Sequence, residues 1–163
     1  MKHTLVALVE NEPGVLNRVA SLFRRRNFNI DSLTVGRTED SNISRMTIVL
    51  DSEVARVDQV QKNLYKLVNV IQVYEITQQP SVSRDLALIK VRASAEAAVL
   101  ASQFGARILD HSDGMMIFEL SDAEDRVEQF IEALRPCGIV ELVRTGVVAM
   151  GRGNHVVQAP QFA

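Results

Sequence analysis

The apolar positions change period several times along the chain. Residues 4–9 form a short apolar run closed by Glu10, Asn11, Glu12, Pro13 and Gly14, which predicts a buried strand and then a turn. Val15, Leu16, Val19, Ala20 and Phe23 recur at helical spacing, with Asn17, Arg18, Ser21, Arg24 and Arg25 between them. That is an amphipathic helix, with Pro13 expected in its first turn, where proline gives up no intrahelical hydrogen bond. Phe28 and Ile30 alternate with polar residues, and Leu33 and Val35 alternate in the opposite phase. The slip at Asp31-Ser32 predicts a bulge or bend. Met46, Ile48 and Leu50 mark a third strand, Val57, Val60, Leu64 and Leu67 a second helix, and the β-branched run 70–76 a fourth strand.

Residues 78–84 are polar, contain Pro80 and show no apolar period, which predicts a linker. The same order then restarts. A strand is expected over 86–91, a helix over 95–104 and a strand over 106–110. Ser112-Asp113-Gly114 forms a turn before the strand 115–120. A helix from about Ala123 carries Val127, Phe130, Ile131 and Leu134 and stops at Pro136-Cys137-Gly138; the last strand is 139–143. The tail, 151–163, has no periodicity and is expected to be mobile. Two β-α-β-β-α-β units predict an α+β protein of two tandem ferredoxin-like sandwiches, 1–77 and 85–150, each with both helices on one sheet face. Units of this size have small cores, so the bare sheet faces and edges need cover and an oligomer is expected.

Composition adds little beyond class. The 163 residues are 47% hydrophobic and 23% charged, an ordinary soluble mix. With no long apolar run, no charged-then-apolar leader and a single cysteine, Cys137, a soluble cytoplasmic protein without internal disulfides is expected. Residues 1–77 hold 10 Lys and Arg against 9 Asp and Glu, the rest 8 against 11, and the net is −2. Neither nucleic acid nor membrane has a bulk electrostatic case.

No catalytic constellation is visible. His111 lies between Asp110 and Ser112, but neighbours on an extended chain point to opposite faces. His3 is near the N-terminus, His155 is in the tail, and Cys137 at a helix end suits packing. Metal-ligand spacings are absent. The expected central strands, 4–9 and 44–50, carry no aromatic for base stacking. The first strand–helix loop has Glu10 and Glu12, which repel phosphate, and no cysteine pair for copper. Arg24-Arg25-Arg26 complements the helix C-terminal dipole or docks an acidic surface.

The same loop offers Asn11 and Gly14. Glycine admits a ligand to the backbone, and the first N–H groups of the helix favour a carboxylate by about 0.3–1 kcal/mol. The Asn11 oxygen can accept from an ammonium, and Asn29 adds a second amide between Phe28 and Ile30. Together these suit a small apolar amino acid. A second reading, in which Asn11 and Gly14 only build a turn, stays open on the residues alone.

Residues 10–16, Glu-Asn-Glu-Pro-Gly-Val-Leu, followed by 29–35, Asn-Ile-Asp-Ser-Leu-Thr-Val, resemble the ACT domain, an amino-acid-sensing module. Residues 44–49, 85–91 and 144–149 extend the resemblance to the small regulatory subunits of acetohydroxyacid synthase (acetolactate synthase) over essentially 2–153. The resemblance implies a non-catalytic subunit that pairs through its ACT domains. It also implies activation of a catalytic subunit carrying thiamine diphosphate, Mg and FAD, and sensitivity to valine in branched-chain amino acid biosynthesis. It places the effector between Asn11, Gly14, Val15 and Leu16 of one chain and Asn29 and Ile30 of the other. Gly151 stands where the family usually has Ser, and Asn17 where it often has a small residue. A stand-alone amino-acid sensor, or a trimeric signalling protein of the PII kind, is the other class of function.

Overall fold

The structure, a computed structural model, describes residues 1–158 apart from the side chains at positions 54 and 55. The element order is β1 (Lys2–Glu10), α1 (Val15–Arg25), β2 (Ile30–Arg37), β3 (Ile43–Asp51), α2 (Val54–Tyr65) and β4 (Val70–Glu75). Then come β5 (Ser81–Arg92), α3 (Ala95–Phe104), β6 (Arg107–Ser112), β7 (Met115–Asp122), α4 (Glu124–Leu134) and β8 (Ile139–Gly151). Both halves are β-α-β-β-α-β, as the periodicity predicts. The chain divides into two compact units, Met1–Val82 with the segment from Val148, and Ser83–Val147.

In the first unit the sheet order is β2-β3-β1-β4. Leu5, Ala7 and Val9 of β1 meet Met46, Ile48 and Leu50 of β3 on one face. There Val15, Val19, Leu22 and Phe23 of α1 and Val57, Val60 and Leu64 of α2 close the core. Pairing slips between Ile30 and Ser32, so the bulge falls where the change of phase puts it. α1 starts at Val15, two residues after Pro13: Gly14 is the cap and Pro13 precedes it, outside the first turn.

The opposite face is covered by the end of the chain. Ala149 and Val157 pack with Val6, Tyr74 and Ile76, and the Arg45 guanidinium donates to the Ala149 carbonyl at 2.6 Å. Burial holds Arg45 below its ordinary pKa, with Glu39 opposing. The Arg152 N–H donates to Pro80 O at 2.8 Å, and its Nε–H to Ser81 O at 3.1 Å. A turn at Gly151 makes this possible, since a Cβ there would lie 2.1 Å from the His155 carbonyl oxygen. In the tail, 151–163, Val157 packs on this face while residues 152–156 stay exposed. The last five residues of the tail, 159–163, lie outside the described residues.

In the second unit the order is β6-β7-β5-β8. Ala87, Ile89 and Val91 face Met116, Phe118 and Leu120, and Phe130, Ile131 and Leu134 of α4 fill the space above. Ser94 caps α3 by accepting from the Ala97 N–H at 3.0 Å. Cys137 is half-buried against this core. β5 begins at Ser81, inside the predicted linker 78–84, and β8 runs to Gly151 rather than Val143.

Candidate functional site

The loop after β1 is held from two sides. The Asn11 N–H donates to Asn42 O at 2.7 Å, and the Asn11 side-chain Nδ2 donates to Ser41 O at 2.9 Å. That commitment turns Oδ1 into the atom on offer, an acceptor. Gly14 adopts φ +84°, ψ −7° and provides no side-chain cap, and the first turn of α1 has no acid. The helical ladder begins with the Arg18 N–H on Gly14 O at 3.0 Å, so the N–H groups of Leu16 and Asn17 precede it. A Cβ at Gly14 would meet nothing within 4 Å. The result is an open patch of backbone donors with an amide acceptor beside it, suited to a carboxylate and an ammonium.

Three further residues brace this end, which no periodicity announces because they are far apart in sequence. Asn69, buried just before β4, donates from Nδ2 to Glu10 Oε2 at 2.9 Å and accepts from Arg18 Nη1. β1, α1 and β4 are tied together there.

The structure does not bring all the expected site residues together. Asn11 and Gly14 lie at the end of the sheet where Glu10 pairs with Ile43, whereas Asn29 precedes Ile30, which pairs with Leu50 opposite His3. From His3 to Glu10 along β1 is roughly 23 Å at about 3.3 Å per residue. Within one chain, the two amides cannot touch one small ligand. The Val15 side chain is buried in the first core, so only its backbone faces the loop, and its N–H makes a long 3.4 Å bond to Glu12 O. Leu16 is exposed at 47%, Asn29 is exposed, and Ile30 is half-buried against the core.

Residues 5–72 match the family described as the AHAS small subunit-like ACT domain, and residues 84–153 match the small subunit of acetolactate synthase. The probable acetolactate synthase small subunit of Archaeoglobus fulgidus is 54% identical over 94% of this chain and 99% of its own length. This chain belongs to the acetolactate synthase small-subunit family. The small subunit of Mycolicibacterium smegmatis is 46% identical over 96% of this chain and 95% of its own. The crystal structure of the Thermotoga maritima small subunit superposes with a TM-score of 0.88 at 40% identity, covering 94% of this chain and 99% of that one. Membership of a small-subunit family implies a catalytic subunit as partner.

Among the described residues the histidines form no nucleophile–base pair with a serine or cysteine. His111 is exposed, and Ser112 Oγ donates to Asp110 Oδ2 at 2.7 Å rather than to a histidine. His3 is buried with Nδ1 2.5 Å from Glu75 Oε1. Among the described residues no group of three or more His, Cys, Asp or Glu is placed to hold a metal, and no helix is long and apolar enough to cross a membrane.

Proposed function

We propose that the chain is the valine-responsive regulatory subunit of acetohydroxyacid synthase in branched-chain amino acid biosynthesis. It activates a catalytic subunit and does no chemistry itself; the thiamine-diphosphate chemistry, with Mg and FAD, belongs to that partner. The observation that supports this best is the separation of Asn11 and Gly14 from Asn29 and Ile30 at opposite ends of one sheet. Two copies paired antiparallel through their β2 edges, about a two-fold axis normal to the sheet, would set one chain's loop beside the other's Asn29. Valine's carboxylate then meets the start of α1, its ammonium the Asn11 oxygen and its isopropyl group the Leu16 and Ile30 side chains.

A ligand held by two chains stabilises one arrangement of the dimer, and the catalytic subunit responds to that arrangement. Coupling of about 1–3 kcal/mol changes partner activity or affinity some 5–150-fold. The test is reconstitution of synthase activity with a catalytic subunit, with and without valine, beside calorimetry on the subunit alone. Activation and valine inhibition are expected. A subunit that binds valine yet leaves the synthase unaffected would be a stand-alone sensor. Alanine lacks two carbons and is expected to bind about 15-fold more weakly, at ~0.8 kcal/mol per buried carbon; equal affinities would remove the apolar wall.

A further inference from the structure

We infer that the outer surface of the α1–α2 layer is a docking face for an acidic surface of the catalytic subunit. The inference rests on the partner proposed above and adds where it binds. With their cap residues, α1 holds four arginines and no acid, and α2 three cations against Glu53 and Asp58, a net of +5 in a chain whose total is −2. Arg24, Arg25, Arg26, Arg56 and Lys62 are exposed. Among the described residues none of these five has a carboxylate within ion-pair distance.

The second unit is built differently. There Lys90, Arg107, Arg126, Arg135 and Arg144 each pair with a carboxylate, such as Arg135 with Glu132 at 2.8 Å and Arg126 with Asp122 at 3.5 Å. Where the first layer does hold its guanidinium groups, it uses neutral partners. Arg26 Nη2 donates to Asn63 Oδ1 at 3.4 Å, and the Arg56 guanidinium lies 5.1 Å from the centre of the Phe28 ring. These contacts restrict the side chains without neutralising them. The α1 dipole offsets only part of the mutual repulsion, within its last turn.

Four of the five groups are arginines, whose planar fork matches carboxylates two bonds at a time. Nucleic acid fits less well. The nearby aromatic, Phe28, already lies under Arg56, and the rest of the chain is negative enough to repel a phosphate backbone. An acidic protein face is the complement this geometry favours.

The experiment compares wild type, Arg24→Glu/Arg25→Glu and, as a control of a single charge reversal on the second unit, Arg107→Glu. Each subunit is titrated into the catalytic subunit at low and high salt, with valine calorimetry and circular dichroism on the subunit alone. The double variant is expected to keep its fold and valine affinity but to need at least about tenfold more protein for half-maximal activation, with a shallower salt dependence. Arg107→Glu is expected to match wild type. Equal half-maximal concentrations and salt slopes for all three would overturn the docking face. So would an unchanged titration combined with loss of RNA binding in a gel shift, which would assign the patch to nucleic acid. Failure of the wild type to activate at all would overturn the earlier functional reading, and the occupant proposed for this face with it.

Discussion

Gly14 concentrates two requirements at one position. Its φ of +84° is one that side-chain-bearing residues rarely adopt, and it sits directly before the free N–H groups of α1. Space is not the constraint there, since an added Cβ would touch nothing within 4 Å. Charge is. Gly14→Asp puts a carboxylate where an effector's own carboxylate is proposed to lie, and holds a side-chain-bearing residue in the left-handed region. The variant is expected to fold and to activate the catalytic subunit while losing valine inhibition by at least about tenfold in half-inhibitory concentration. Full inhibition at the wild-type valine concentration would show that the effector binds elsewhere. Asn11 and Gly14 were legible as a pair from turn chemistry and the start of the helix. The brace of Glu10, Asn69 and Arg18 was not, because hydrogen bonds between residues 59 and 51 positions apart leave no local pattern.

At the scale of elements, the β-α-β-β-α-β order and the Asp31 bulge follow from apolar periods alone, since each strand and helix buries one face and shows it. Two boundaries did not. β5 starts at Ser81 among polar residues whose pairing is decided by neighbouring backbone rather than by their own burial, and β8 continues to Gly151, with Val147 and Ala149 buried and Val148 and Met150 exposed in an alternation that Gly146 separates from the expected strand. β8 is also held by a charge cluster at half-burial. Arg144 donates from Nε and Nη2 to Asp85 Oδ2 at 2.9 and 2.5 Å, and from Nη1 to Glu128 of α4 at 2.5 Å. Burial pulls the Arg144 pKa down, and the bonds to Asp85 and Glu128 outweigh it, so the net shift is upward. Asp85 is only 1% exposed, and its Oδ1 has no hydrogen-bond partner. Arg144→Met would strand that carboxylate, and a loss of about 3 kcal/mol in urea unfolding is expected. Asp85→Asn added to Arg144→Met should recover part of it. A single variant as stable as wild type would mean that the cluster contributes nothing net.

For the whole molecule, the proposed effector site exists only if two chains meet. β2 is an edge strand, and Val35 on it is 41% exposed on the same face as Met46. A lysine on an edge opposes strand-to-strand association. Val35→Lys is therefore expected to shift the protein toward monomer in analytical ultracentrifugation and to weaken valine binding in step. A stable dimer with undiminished valine affinity would place the subunit contact away from β2.

The sheet of the first unit also depends on residues that follow the whole second unit in sequence. Val6, Tyr74 and Ile76 are covered by Ala149 and Val157, so on the ribosome its helix-facing core can assemble while the reverse face still waits for the second unit, Ser83–Val147, to be translated. Until those residues emerge, a nascent chain presents a bare apolar surface, the kind that holdase chaperones recognise and that a premature stop codon would leave open for good.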